Sequence, residues 1–486
     1  MKKITLIVSL SILLLTAVAS TPYWVGLAIE KQLRAQSELL QHHPEFTFDV
    51  TRYQRGYLSS VVETRFTFEP QMMGLLPASD TAGGAPVNLL FRHQVSHGPL
   101  IDNRLSFATM SKVETVLVPV DGQHAAVSFY FNDQAPLSIS SELEWSGEIR
   151  SEGVVPAYRG RDHTGGYDLK WGGLHFSVAG NWIEGRAKGR FNAPRLELGN
   201  ALHGLSIGGL FGDFNRRLSP QGFPLGEGDV ALNTFKLRGE SAGGSPLNLF
   251  LRDLSITYST LQRGVVIDVS QQIGFRSLQV NDALFKMGAF HLAFNNVDAT
   301  VLQALQQRYA NVDPLRKKGP AILMRELQPL LPKLLVQSPA LDLSKIEVTT
   351  VDGLMRGRIK LSIDGKMGTP DRVAVPIDLM ALLPLTQVEI DITLPVNMIE
   401  RQARKAAHAK IIEQLLESEQ SMTAEAVAKQ TTRAAEQMLA QFEIQNIIRR
   451  EADLFRTQLR YHDSHLYLNG VPADNFLKLL PSLKES

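Results

Sequence analysis

The stretch QVEIDITLP, Gln387–Pro395, sets Val388, Ile390, Ile392 and Leu394 on every second residue, with Glu389, Asp391 and Thr393 between them. Successive side chains of a strand point to opposite faces, so this segment presents one apolar and one polar face. The same period of two recurs outward in both directions. It runs through Ile359, Leu361 and Ile363, through Phe290, Leu292 and Phe294, and through Val265, Ile267 and Val269. Leu254, Ile256 and Tyr258, then Leu174, Phe176 and Val178, and near the start Phe46, Phe48 and Val50 continue it. Asp352-Gly353, Asp364-Gly365 and Asn469-Gly470 are dipeptides that tight hairpins favour, because both residues accept positive φ. The expectation is an α+β, β-rich fold whose body, residues 45–396, is mostly antiparallel sheet with one apolar face.

Helical patterns interrupt the alternation. Asp298 is placed to cap a helix carrying Leu302, Leu305 and Tyr309, and a second pattern runs from Ile322 to Leu335, broken near Pro329 and Pro332. From Asn397 the composition turns to Ala, Gln, Glu, Lys and Arg, with Ala403, Ala407, Ile411 and Leu415 at spacing four and Val427, Thr431, Ala434 and Met438 on another helical face. Residues 397–456 are expected to be helical, packing on the sheet or pairing with a second copy as a homodimer. Residues 457–486 form a terminal strand and tail.

The N-terminus carries a different signal. After Lys2 and Lys3 no charge occurs until Glu30, which leaves 26 uncharged positions from Ile4 to Ile29. That length suits a bilayer span of about 20 apolar residues, with Tyr23 and Trp24 where an interfacial belt falls. Ala17-Val18-Ala19 also fits a signal-peptide cleavage site. The expectation is an uncleaved signal-anchor over 1–29, a helical stalk over 30–44, and an exported body.

Composition excludes several classes. Fifty Lys and Arg against 49 Asp and Glu give a net charge of +1, which attracts neither nucleic acid nor another polyanion. No cysteine is present, so thiol nucleophiles and Cys-based zinc sites are ruled out. An internal echo, TAGGAPVNLLFRH (Thr81–His93) and SAGGSPLNLFLRD (Ser241–Asp253), matches at seven of 13 positions and reads as a Gly-rich turn feeding a strand, from two related halves or from similar hairpins arising independently.

Candidate chemistry is sparse. Gly204-Leu205-Ser206-Ile207-Gly208 fits the G-x-S-x-G nucleophile elbow, yet Gly209 to Gly212 is poor helix material and no oxyanion loop precedes it. His93 and His97 are four apart, but in a strand that separates them by about 13 Å, too far for one metal ion. His462, Asp463 and His465 form a second cluster whose strand spacing puts the two histidines on opposite faces. No catalytic, cofactor or metal residue is therefore expected. Arg55 is placed to meet lipid phosphate or to pair at a sheet margin, Gly56 and Gly98 suit turns, and Pro99 suits a strand edge.

The chain resembles the YdgA-like family of Gram-negative bacterial proteins. The likeness rests on the N-terminal run, Tyr53-x-Arg55-Gly56-Tyr57-x-Ser59 and His97-Gly98-Pro99. Pro224-Leu225-Gly226-x-Gly228-Asp229, Asp298, Ser338-Pro339 and Leu468-Asn469-Gly470 add to it. The resemblance implies a single-pass inner-membrane protein with a periplasmic body and no known catalytic residue. The function expected from the sequence is a non-enzymatic envelope scaffold or interaction module, self-associating or binding other envelope proteins; the alternative is a lipid-handling protein using the apolar face of a curved antiparallel sheet as a groove, and the minor alternative a serine hydrolase.

Overall fold

The computed structural model describes residues 20–35, 37–38, 40, 46–68, 87–102, 104–119, 134–161, 168–181, 183–200, 203–240, 245–309, 328–365, 382–418 and 422–475. The protein is β-rich, its strands are antiparallel, and its helices are few. Two compact units divide it, the first built mainly from residues up to Asn233 and the second from Glu240–Leu302 and Arg325–Ser486.

The first unit is an up-and-down meander. Its strands are β1 (Phe46–Arg55), β2 (Ser59–Phe68), β3 (Val87–His97), the short β4 (Leu100–Ile101) and β5 (Arg104–Leu105), β6 (Thr109–Val118), β7 (Ser138–Glu144) and β8 (Glu148–Val155). β9 (Tyr158–Arg161), β10 (Asp168–Trp171), β11 (Leu174–Asn181), β12 (Arg186–Gly199) and β13 (Gly204–Leu218) follow, with most of β14 (Pro224–Glu240). Pairing runs β1, β2, β3, β6, β7, β8, β11, β12, β13. β9 and β10 extend the sheet along the second half of β12.

A helix over residues 20–35, α1, docks on β1–β3. Tyr53 Oη donates to the Gly26 carbonyl at 3.1 Å, Glu30 pairs with Arg55 at 3.4 Å, and Val25 is buried. Beyond the helix, Ser37 Oγ donates to the Phe48 carbonyl and accepts from Val50 N. The expected stalk is thus tied to the sheet at Glu30 and Ser37. Of the expected membrane span over 1–29, residues 1–19 lie outside the described residues; among the described residues no helix is long and apolar enough to cross a membrane.

The second unit repeats the meander. β15 (Pro246–Arg263), β16 (Val266–Phe275), β18 (Ala283–Asp298), β19 (Ala340–Thr350), β20 (Leu354–Ile363), β21 (Thr386–Pro395), β23 (Leu454–His462), β24 (His465–Leu468) and β25 (Val471–Pro472) pair in that order. β17 (Ser277–Val280) bridges β15 and β18, and β22 (Arg449–Glu451) pairs with β23. Asn469 and Gly470, at φ 50° and 81°, make the two-residue turn before β25. Asp463 and Ser464, at 49° and 65°, make another, with no Gly to signal it.

Asp298 caps α2 (Ala299–Tyr309): one carboxylate oxygen accepts from Thr300 N at 2.9 Å and Val301 N at 3.1 Å. The pattern broken by prolines becomes α3 (Leu331–Val336) where it is described, and its residues 322–327 lie outside the described residues. The stretch expected to be helical from 397 to 456 is two helices, α4 (Val396–Ser418) and α5 (Ala424–Ile444), and its last residues are strand. Ala403, Ala407 and Ile411 of α4 are buried, as are Val427, Thr431 and Ala435 of α5, with Ala403, Ala407 and Ala435 in one cluster. The small side chains let the two helices approach closely, so the spacing-four stripe is closed by the chain's own second helix. Spacing alone marks a stripe and does not identify what covers it.

Candidate functional site: apolar sheet faces and a buried polar latch

Directly opposed residues of neighbouring strands share a face. In the second unit the register therefore lines up Val269, Phe294, Leu341, Leu361, Val388 and Tyr461 as one row crossing six strands. A parallel row sets Leu292, Leu343, Ile359, Ile390 and Leu459 beside it. The opposite face carries Ser270, Ala293, Asp342, Lys360, Glu389 and Arg460. The apolar face is only partly covered. Phe294 is 44% exposed and Leu361 37%, Leu341 and Val388 are half-buried, and burial closes at Tyr461 and Leu466.

The first unit has a related face with a distinctive floor. Phe176 stands opposite Gly153, Phe191 opposite Gly212, and Phe214 opposite Gly189. In each pair a Cβ on the glycine would overlap the ring, so the ring lies across the neighbouring backbone instead of standing off it. Phe275 and Gly288 make the same pair in the second unit. Rings laid flat over glycines give a low, even hydrocarbon surface. No sequence motif announces these pairs, because the partners lie on different strands, although Gly and Phe on alternating strand positions are the available hint.

Near β1–β3 the first unit's face is polar and sealed. Ser60, His97, Thr64 and Ser111 are all buried beside Val62 and Val95. Ser60 Oγ lies 3.0 Å from His97 Nε2, and His97 Nδ1 lies 3.2 Å from the Tyr57 carbonyl. A carbonyl can only accept, so Nδ1 carries the proton, and Nε2 accepts from Ser60. Burial lowers the His97 pKa, opposed by the Tyr57 hydrogen bond and reinforced by the charge of Arg55. Burial likewise raises that of Tyr53. His93, its pKa also lowered by burial, lies 2.8 Å from Thr64 Oγ1 and 2.7 Å from Thr115 Oγ1. Above this cluster Gly26 of α1 sits so close that a Cβ would stand 2.5 Å from His97 Cε1. The geometry latches a helix to a sheet. It offers a substrate no access.

The two tyrosine- and histidine-containing motifs thus meet in space. Gly56 N donates to Ser59 O at 2.8 Å in the β1–β2 turn, and Gly98 N donates to Met110 O at 2.8 Å before Pro99 leaves the strand. Arg55 is paired with Glu30 and stacks 5.1 Å from the Tyr23 ring centroid. Ser206 lies within the continuous strand β13 opposite Glu197, with no strand-to-helix turn after it. His93 and His97 bond separate hydroxyls, as their strand setting demands. The expectation that His462 and His465 face opposite ways is corrected: the Asp463-Ser464 turn reverses the chain and makes them a cross-strand pair on one face. They pair with separate carboxylates, Asp463 and Asp474. Among the described residues no three metal-ligating side chains gather.

No curated protein matches this chain. Residues 1–474 match the model of a family described as "Bacterial protein of unknown function (DUF945)", and the chain belongs to that family.

Proposed function

We propose that this is a membrane-tethered, periplasmic lipid-handling protein that holds acyl chains on the apolar faces of its sheets. The observation that carries this reading is the unbroken hydrocarbon row from Val269 through Phe294, Leu341 and Leu361 to Val388, left partly open to solvent. Contiguous exposed apolar surface on a folded protein marks a binding site or an interface. A continuous row with no polar group along it suits an acyl chain, which offers no hydrogen bonds and slides among equivalent positions. The Phe–Gly floor of the first unit suits the same ligand. The N-terminal uncharged run supports tethering at the source of that ligand.

A phospholipid with a photoreactive acyl chain tests the reading. Full-length protein is expected to crosslink through residues of the Phe294–Leu361 row, and Phe294→Asp with Leu361→Asp is expected to abolish labelling, while Lys360→Asp on the opposite face leaves it intact. Labelling that ignores the apolar row ends the proposal. A second reading, self-association, is favoured by Ile412 and Leu416 of α4, the latter 76% exposed. A second copy would use that outer side, since Ala403, Ala407 and Ile411 are already buried. Sedimentation of the detergent-solubilised protein as a monomer would remove this reading.

A further inference from the structure

In an up-and-down meander alternate turns fall at the same end, and the first unit's register shows which turns do so. Ser59 lies opposite Ser96, Thr109 opposite Glu144, Glu148 opposite Asn181, and Arg186 opposite Arg217. The β1–β2, β3–β6, β7–β8 and β11–β12 connections and the end of β13 therefore form one rim. Each carries a large apolar side chain in the open. Tyr57 occupies the first connection, Leu105 and Phe107 the second at 67% and 68% exposed, and Trp145 the third. Ile183 occupies the fourth at 65%, and Leu218 ends β13. At the opposite end, among the described residues, Leu198 is the large apolar side chain with comparable exposure.

The chain enters at this rim. Gly26 touches His97 and Tyr53 near the rim, and Ser37 reaches Phe48 well below it, so α1 descends from the rim along the sheet. Its first turns carry Tyr23 and Trp24, the latter 61% exposed. Ile4–Ala19, without a charged residue, precede them directly. Tyrosine and tryptophan favour the membrane–water interface because each combines an apolar body with a polar edge.

We infer that this rim rests in the interfacial layer of a lipid bilayer, so that the strands of the first unit stand on the membrane and their apolar face opens at its surface. Several of the rim's charges are matched internally: Arg150 with Glu144 at 3.0 Å, Arg186 with Glu148 at 2.9 Å, and Lys112 with Asp102 at 2.8 Å. Contact with the bilayer therefore rests chiefly on insertion of the aromatic and aliphatic side chains. The inference names the membrane as the partner of the lipid-handling protein proposed above, and it stands on separate residues.

The absence of native cysteine makes single-site labelling direct. Leu105→Cys, Phe107→Cys and Ile183→Cys, each carrying a polarity-sensitive fluorophore, are placed in full-length protein reconstituted into phosphatidylcholine vesicles, with Leu198→Cys as the reference. Lipids spin-labelled near the headgroup are expected to quench the three rim labels, with a blue-shifted emission, and to leave the label at 198 unquenched. Rim labels as wet and as unquenched as that at 198 overturn the inference; circular dichroism matching the wild type excludes misfolding as the cause. Quenching at the rim without acyl crosslinking on the second unit keeps the membrane contact and removes lipid handling. Crosslinking without quenching does the reverse.

Discussion

The two apolar faces differ in what lies on them. In the first unit, under α1, the face carries Ser60, Thr64, Ser111, His93 and His97 among its valines, and the two histidines and their hydroxyl partners are joined in hydrogen bonds. In the second unit, from β16 to β21, the corresponding row is hydrocarbon throughout and half-open. Directional bonds fix one register, because a buried polar group shifted off its partner loses its full hydrogen bond. Hydrocarbon contact is non-directional and tolerates sliding. Polar groups therefore mark the face whose cover is permanent, and their absence marks the face suited to an exchangeable occupant.

The comparison breaks most easily at Gly26. His97 is buried and held on both ring nitrogens, so it cannot yield to a side chain placed 2.5 Å away. Gly26→Leu is expected to lift α1 from the sheet at a cost of about 3 kcal/mol, the upper range for overpacking. A fall in the urea midpoint, with new proteolytic cleavage in residues 20–35, is the readout. An unchanged midpoint and an intact helix would mean that the latch is not rigid.

Next in size is Ser60→Ala. It deprives His97 Nε2 of its donor in a site from which water is excluded, and a buried group left unsatisfied costs about 1–3 kcal/mol. Chemical denaturation checks it. A loss smaller than that of an exposed serine such as Ser138 would show that the bond contributes nothing to the closure.

Much of this contrast was legible in the sequence, and the unread part has a common cause. Period-two alternation located seven of the strands between Phe46 and Leu394, and Asp298 announced its helix, because both are local patterns. The motifs around Tyr53 and His97 also stood out, but as separate turns. Their meeting depends on the β2–β3 register, which puts Ser60 within reach of a histidine 37 residues away. The Phe–Gly pairs and the closure of α4 by α5 share that dependence on partners distant in the chain. Parity counting failed at His462 and His465 because a turn without glycine lay between them.

The pH dependence sharpens the contrast further. Burial lowers the pKa of His97 and His93 below the ordinary value near 6.5, so the folded state stays neutral where the unfolded state takes up protons. Stability is then fully present above about pH 6.5 and falls as pH drops below it toward the folded values, by at most about 1.4 kcal/mol per pH unit for each histidine. Denaturation at pH 7.0, 6.5, 6.0 and 5.5 is expected to show this slope, and His97→Asn to reduce it by roughly half, since His93 remains. A slope untouched by His97→Asn would place the titration elsewhere.

The smallest expected effect on stability falls on the open face, and it is the most informative about function. Phe294 and Leu361 flank Leu341 as neighbours across three strands, and both already lose part of their burial to solvent. Replacing both with Ser removes cross-strand contacts worth about 0.2–1 kcal/mol each, so the fold is expected to persist with a midpoint close to the wild type. Val62→Ser on the lidded face removes hydrocarbon from a fully buried site, a change expected to cost about 2 kcal/mol or more. Acyl crosslinking should follow the opposite order, with the Phe294→Ser and Leu361→Ser pair losing it and Val62→Ser retaining it in the fraction that remains folded. If instead the open-face pair destabilises the protein as much as Val62→Ser does, that face is a structural core, and the distinction between permanent and exchangeable cover does not hold.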